Sequence, residues 1–144
     1  MASSVHVTFN HFPQMAQALP DIARKLNKAA AFNIQGRAQS KAPVDTGALK
    51  NAYYTVTQDS DGEGAALAAA SAANAKAQTL PGHDPLPSPT AAMVVNGMAY
   101  AVPVEYGSIH GHAQPSLTPA VAEEAPEYEK AWRALESHLK EAVR

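Results

Sequence analysis

The stretch from Ala42 to Leu49 constrains the fold most, because a helical pattern stops there and a strand pattern begins. Pro43 has no amide hydrogen and pushes the preceding residue out of the helical region, so the helix before it should end there. The side chains of Asp45 and Thr46 can bond nearby backbone N–H groups, and Gly47 can adopt a positive φ. The stretch therefore predicts a tight corner. An Asp-Thr pair can also act as acid and nucleophile, but no base lies nearby in the sequence.

A long amphipathic helix is predicted from Pro13 to Lys41. Its apolar residues recur at helical spacing and form one broad face: Met15, Leu19, Ile22, Leu26, Ala29, Ala30 and Ile34. Pro20 lies inside this pattern and either kinks one helix or starts a second one. Phe32 falls away from the apolar face, among Lys and Gln side chains. It is therefore either a single exposed apolar residue or part of a subunit interface.

Strand patterns in the chain are short. Three segments with alternating, aromatic or β-branched residues are predicted strands: Val5–Phe9, Leu49–Thr57 and Ala91–Val95. Tyr53 and Tyr54 should lie on opposite faces of the second strand, because successive side chains alternate. The pair Asn96-Gly97 after the third strand indicates a turn.

Residues 59–90 are predicted to be a flexible insertion or arm within a single domain of residues 1–144. The part from Glu63 to Leu80 is dominated by Ala and predicts a helix with little apolar bulk. The part from His83 to Thr90 holds three prolines and predicts an extended surface loop. This arm is a candidate for contacts with other chains.

Three residues of the loop are candidate interface residues: His83, Pro85 and Pro87. The neighbour of His83 is Asp84, and such a pair can belong to a catalytic triad. A triad also needs a Ser or Cys nucleophile in a strand-turn-helix context, and none is recognisable here. The pair is therefore interpreted as part of the loop.

A second short motif runs from Tyr100 to Gly107. Pro103 argues against a central strand, so we expect either an edge strand or a short helical turn that Gly107 closes. Glu105 is flanked by an apolar and an aromatic side chain. We expect it to be a partly buried carboxylate that bonds to backbone N–H groups or to a Lys or Arg.

The loop after this motif carries candidate metal ligands. His110 and His112 are two residues apart and could bind a metal ion together with Glu105, which makes a metal-assisted hydrolase an alternative function. Zinc usually takes three or four ligands that further hydrogen bonds hold in place, and a Gly-containing loop provides little such support. We therefore expect no metal, no cofactor and no catalytic residue.

A closing helix is predicted from Thr118, with Thr as its cap and Pro119 at its first position. Pro126 either kinks this helix or restarts it. An apolar stripe at helical spacing follows: Tyr128, Ala131, Trp132, Leu135, Leu139 and Ala142. Trp132 is interpreted as a core anchor.

The net charge of −2 hides a division along the chain. Residues 1–57 carry six basic and two acidic side chains, whereas the remainder carries five basic and eleven acidic ones. This division suits a head-to-tail contact between subunits. The basic residues form no continuous stripe, so we expect no sequence-specific nucleic-acid binding. We also expect no membrane association, because no apolar stretch approaches the roughly 20 residues of a membrane span.

Together the two motifs resemble those of the small neck proteins of tailed bacteriophages, the tail-completion or head-tail joining proteins that also occur in prophages. The matching positions are Pro43, Val44, Asp45, Thr46, Gly47 and Leu49 in the first motif, and Tyr100, Ala101, Glu105, Tyr106 and Gly107 in the second. Their order and spacing agree over about residues 20 to 125. Pro103 and the long proline-rich run Pro81–Pro89 depart from the family pattern.

The resemblance implies an α+β fold, in which a long N-terminal and a C-terminal helix pack a small antiparallel β-sheet, with a helical and Pro-rich insertion in the middle. It implies a structural, non-enzymatic virion protein that is assembled in the host cytoplasm. The expected form is a homo-oligomeric ring, a hexamer, in the neck of the virion. Its partners would be the portal, connector or head-completion protein and the tail terminator or tail tube protein. A host protein-binding module that uses the Phe32 face is a further alternative.

Overall fold

Two long helices and a two-stranded antiparallel sheet make an α+β fold, as predicted. A computed structural model describes the backbone of residues 12–45 and 47–143 and the side chains of residues 16–45 and 47–141. The elements are α1 (Phe12–Lys41), α2 (Ala48–Asn51), β1 (Tyr53–Val56), α3 (Glu63–Ala73), β2 (Met93–Asn96), α4 (Ala101–Tyr106) and α5 (Leu117–Val143). Within these ranges, no helix has an apolar stretch long enough to cross a bilayer. The predicted strand Val5–Phe9 and the turn role of Thr46 fall outside the described residues.

Helix α1 ends where the sequence predicts. It continues through Pro20 as one helix and reaches Lys41. The amide of Ala42 still donates to the carbonyl of Ala38 at 2.9 Å. Pro43 has no amide hydrogen with which to extend this ladder, so the helix stops.

The corner leads first into a helical turn, so the strand predicted from Leu49 to Thr57 is wrong in its first part. Gly47 has a φ of 86°, a left-handed conformation that favours glycine. Helix α2 follows at once, and the strand begins only at Tyr53. Ala48 and Leu49 are adjacent and both buried in the same core cluster. A strand would have pointed them to opposite faces.

The sheet separates two parts of the core. Tyr53 pairs with Asn96 and Tyr54 with Val95 in the antiparallel register. Tyr53 packs towards α1 and α5, whereas Tyr54 packs towards α3, so the two rings lie on opposite faces as predicted. The strand predicted at Ala91–Val95 is observed as β2, which is half-buried.

The helix predicted from Glu63 to Leu80 is shorter in the structure, because α3 ends at Ala73. The side-chain oxygen of Asn74 accepts a hydrogen bond from the amide of Lys76 at 3.0 Å. Such a local bond offers the backbone an alternative to the helical ladder. Beyond it the chain is extended or turned, and the predicted loop from 83 to 90 contains neither helix nor strand.

Helix α5 begins at Leu117, so Thr118 is its second residue and not its cap. The helix continues past Pro126 without a break. Trp132 is half-buried, and its ring meets that of Tyr128 edge to face at a centroid distance of 6.2 Å.

Charged side chains bridge α1 and α5 where the two helices pack together. Arg37 donates to Glu123 at 3.1 Å, and Lys41 pairs with the same carboxylate at 2.6 Å. The Nε of Arg37 lies 3.3 Å from Oε2 of Glu124, an ionic contact outside hydrogen-bond geometry. Glu124 is only 5% exposed and also accepts a hydrogen bond from Asn33. Two basic side chains of the first part of the chain are thus neutralised internally, which reduces the charge available for a head-to-tail contact.

Replacing Arg37 by Ala should destabilise the protein, because the buried Glu124 then loses its cation. Breaking a buried ion pair costs about 3–5 kcal/mol, and we expect about 1–3 kcal/mol here because Arg37 is 38% exposed and screened by solvent. In the control Lys41→Ala, the partner is the more exposed Glu123, and we expect a loss below about 1 kcal/mol. Urea unfolding at pH 7 measures both losses. Equal losses would contradict the role of the buried carboxylate.

Candidate functional site

The two motifs lie far apart in the sequence but form the walls of one cleft. The cleft has a volume of about 550 Å³. Its lining comes from both motifs and two further positions: Pro43, Val44, Asp45, Gly47, Ala48, Leu49, Asn74, Tyr100, Val104 and Gln114. The motif residues therefore belong to a single structural unit.

A shared apolar core holds the two walls together. It consists of Ala48, Leu49, Ala52, Ala70 and Met98, with Ala101 and Val104 of the second motif packed against it. The side chain of Asn96 donates to the carbonyl of Leu49 at 3.0 Å, which ties the end of β2 to the first motif. Partial burial, and then the nearby Asp45 carboxylate, raise the pKa of the Tyr100 hydroxyl.

The second motif is the short helix α4, so the helical alternative is correct. The amide of Val104 donates to the carbonyl of Tyr100 at 3.2 Å, and that of Gly107 donates to the carbonyl of Pro103 at 2.8 Å. Pro103 is the third residue of this helix, where the amide has no partner within the helix. Pro103 is therefore accommodated in α4 without loss of a hydrogen bond.

Gly107 closes the motif in a backbone conformation that other residues rarely adopt. Its φ is 85° and its ψ is 164°. This region of backbone conformation is essentially restricted to glycine. A Cβ at this position would also lie 3.1 Å from the backbone nitrogen of Ala113. Gly107 therefore lets the following loop fold back against α4.

Glu105 caps a helix to which it does not belong. Its carboxylate accepts hydrogen bonds from the amides of Ser116, Leu117 and Thr118 at 2.9, 3.1 and 2.7 Å. These amides lie at the start of α5 and have no acceptor within the helix. The hydroxyl of Ser116 is hydrogen-bonded to that of Tyr53. The backbone bonds predicted for Glu105 are confirmed, and they explain why Thr118 is not needed as a cap.

The charge of Glu105 is favoured at this position. Burial by itself raises the pKa of Glu105, but the hydrogen bonds from the α5 amides outweigh it and hold the pKa below its ordinary value. The positive end of the helix dipole favours a carboxylate here as well. The carboxylate of Glu105 is therefore ionised at neutral pH, and its oxygens accept hydrogen bonds from backbone amides.

Exposed apolar side chains are grouped in the two motifs and in the loop after the second. We define the motif surface as Val44, Tyr100, Val102, Tyr106 and Ile109, all of which are exposed. Tyr106 is 75% exposed and Ile109 is 96% exposed. Single exposed apolar residues need no explanation, and Leu19, Leu80 and Val121 are exposed elsewhere. The residues of the motif surface share their place in the two motifs or the loop after the second and are therefore candidate contact residues.

The structure does not bring together the residues considered as alternative metal ligands. His110 and His112 are exposed in the loop, and Glu105 is bonded to the α5 amides. In the described part of the chain, the side chains that could share a metal ion are instead those of Asp61 and Glu63, together with His83. Sequence reasoning missed this cluster because no spacing pattern links residues on either side of α3.

The other candidate interface residues lie outside the two motifs. Phe32 is exposed and lines a cleft of about 410 Å³ between α1 and α3. Pro85 and Pro87 are exposed in the Pro-rich loop. The carbonyl of Thr90 accepts a hydrogen bond from the side chain of Asn27 at 2.8 Å, which ties the end of this loop to α1.

Comparison of the chain with family models, with curated proteins and with solved structures gives no significant match. The cleft, the capped helix and the motif surface are therefore the features from which a function is inferred. All three depend on residues of the two motifs. The two motifs therefore have a structural role within the chain.

Replacing Gly107 by Ala should lower the free energy of unfolding by about 1–3 kcal/mol, because the backbone conformation becomes strained. The control is Gly111→Ala in the same loop, where an added Cβ would have no atom within 4 Å. We expect that control to change stability by less than about 0.5 kcal/mol. Urea unfolding compares the two variants, and equal losses would contradict the special role of Gly107.

Replacing Glu105 by Gln should cost about 1–2 kcal/mol at pH 7, because a neutral amide offers one acceptor oxygen to three backbone amides. The folded-state pKa of Glu105 is lowered, so its contribution is present above the ordinary value of 4.5 and is lost as the pH falls through the folded value. The gap between wild type and variant should therefore shrink below about pH 4.5.

The control for this pH series is Glu136→Gln, which removes an exposed ion pair with Lys140. Its effect should stay below about 0.5 kcal/mol at pH 7. Urea unfolding of all three proteins from pH 7 to pH 3 provides the comparison. A gap for Glu105→Gln that stays constant down to pH 3 would rule out the ionised cap.

Proposed function

We propose that the chain is a structural subunit of a tailed-bacteriophage neck, a tail-completion or head-tail joining protein. The observation that carries this proposal is the convergence of the two motifs on one cleft and one core. The motif residues have structural roles: Gly47 and Gly107 turn the chain, Leu49 and Ala101 pack in or against the core, and Glu105 caps α5. These structural roles support the resemblance of the two motifs to those of phage neck proteins.

The proposed role does not involve catalysis. Glu105, the one carboxylate of the second motif, accepts three backbone hydrogen bonds and has a lowered pKa, so it is poorly suited to take up a proton from a substrate. The carboxylate of the first motif, Asp45, is exposed.

A subunit of a ring contacts its neighbours through two different surfaces, so that repeated rotation closes the ring. The motif surface supplies exposed apolar side chains for one such contact. The Pro-rich loop packs on the domain through Leu86 and exposes Pro85 and Pro87 for a second contact. We propose a hexameric ring in which these features contact the next subunit and the portal, connector or tail components.

The purified full-length chain, alone or with its tail tube partner, should form or join rings that light scattering and negative-stain electron microscopy can detect. Deleting the gene from the phage that carries it should leave heads and tails unjoined. Normally joined particles without this protein would contradict the proposal.

The variant Tyr106→Asp should weaken ring formation, because it places a charge on the motif surface. Tyr106 is exposed, so the change in the free energy of unfolding should stay within about 0.5 kcal/mol. The control is Ser137→Asp, an exposed position near the far end of α5, which should assemble as the wild type does. Light scattering of the three proteins decides, and normal assembly of Tyr106→Asp would exclude the motif surface as a subunit contact.

A further inference from the structure

Three potential metal ligands converge at the start of α3. The Nε2 of His83 lies 2.8 Å from Oδ2 of Asp61 and 3.8 Å from Oε2 of Glu63. One ligand atom from each of the three residues lies within 4.8 Å of the others. Asp61 is exposed and the other two are partly exposed, so a solvent ion can reach the cluster.

Backbone hydrogen bonds orient all three ligands. The Nδ1 of His83 lies 2.8 Å from the carbonyl of Asp84 and can donate to it, while Nε2 is hydrogen-bonded to Oδ2 of Asp61, so a bound metal ion would take the place of the Nε2 proton. Asp61 accepts from the amide of Glu63 with Oδ1, and Glu63 accepts from the amide of Gly82 with Oε1. Each carboxylate thus presents its second oxygen to the cluster. Hydrogen bonds of this kind fix the ligands of metal sites.

A buried hydroxyl beside the cluster provides an independent indication of a missing ligand. Tyr54 is 2% exposed, and its hydroxyl has no hydrogen bond of good geometry to any part of the described chain. Burial, then the charges of Glu63 and Asp61, and then a side-chain interaction with Glu63 raise the pKa of Tyr54 to about 12. Its ring lies 6.1 Å from that of His83. A buried polar group without a partner is unfavourable and calls for a bound water or ion.

We propose that Asp61, Glu63 and His83 bind a divalent transition-metal ion, of which Zn²⁺ is the best fit. An imidazole with two carboxylates suits Zn²⁺, whereas Mg²⁺ and Ca²⁺ prefer oxygen ligands alone. Ligands at about 2.0–2.2 Å in a tetrahedral site are spaced roughly 3.3 Å apart, between the two His83 distances observed. Three protein ligands leave a fourth position for a water molecule, which can bond to the Tyr54 hydroxyl.

The ion would connect two parts of the arm. Asp61 and Glu63 lie at the start of α3, while His83 lies at the start of the Pro-rich loop. A bridge between them fixes where the loop leaves the domain. The two carboxylates repel each other, and a dication neutralises both, which gives the binding a favourable electrostatic contribution.

Isothermal titration calorimetry with ZnCl₂ tests the proposal on tag-free, full-length chain that has been treated with chelator. We expect one Zn²⁺ per chain and a higher melting temperature with Zn²⁺. The variants His83→Gln and Asp61→Asn should each weaken binding by about tenfold or more and remove the thermal shift. Circular dichroism checks that both variants are folded.

The matched control is the double variant His110→Gln and His112→Gln, which should bind Zn²⁺ as the wild type does. Amide NMR shifts on addition of Zn²⁺ should centre on residues 61–63 and 82–84. Absence of binding by the wild type at millimolar Zn²⁺ would overturn the proposal. Unchanged binding by folded His83→Gln, or loss of binding in the control, would overturn it as well.

Discussion

The amides at the start of α5 have no acceptors in their own helix, and the carboxylate of Glu105 supplies acceptors for three of them. Leaving such amides unpaired in a partly buried position is costly, and the helix dipole adds to the preference for a negative charge. The second motif is thereby joined to α5. Because α5 packs against α1 through Arg37 and Glu124, and α1 ends at the first motif, the cap links the second motif to the first through these two helices.

Local chemistry was predictable from the sequence. Pro43 stops a helix through its own covalent structure, and Gly47 supplies a conformation that few other residues tolerate. The strand assigned to Leu49 was wrong because its aromatic and β-branched neighbours dominate the pattern, while packing of two adjacent buried side chains decided the structure. The predicted helix ran past Ala73 for a similar reason. High Ala content indicates where a helix can form, but it does not show that the side chain of Asn74 ends the helix there.

Non-local arrangements could not be predicted in the same way. The sequence suggests that Glu105 bonds to backbone amides, but it does not indicate which helix they belong to. Nor does it indicate that His83 returns to Asp61 and Glu63, because the distance between them depends on where α3 ends and how the next segment crosses it. In both cases the sequence predicts what kind of bond each residue can make, but it does not predict which residue is the partner.

The loop from 108 to 113 is closed by hydrogen bonds between Ser108 and Gly111 and is anchored to α4 just after its end. Gln114 donates from its amide to the carbonyl of Val104, and Glu105 holds Ser116. Added residues would therefore leave both anchors in register, and each doubling of a flexible loop costs only about 0.6 kcal/mol in closure entropy. Evolution can thus lengthen or rewrite this hairpin-like tip to suit a different neighbour while the scaffold beneath stays the same.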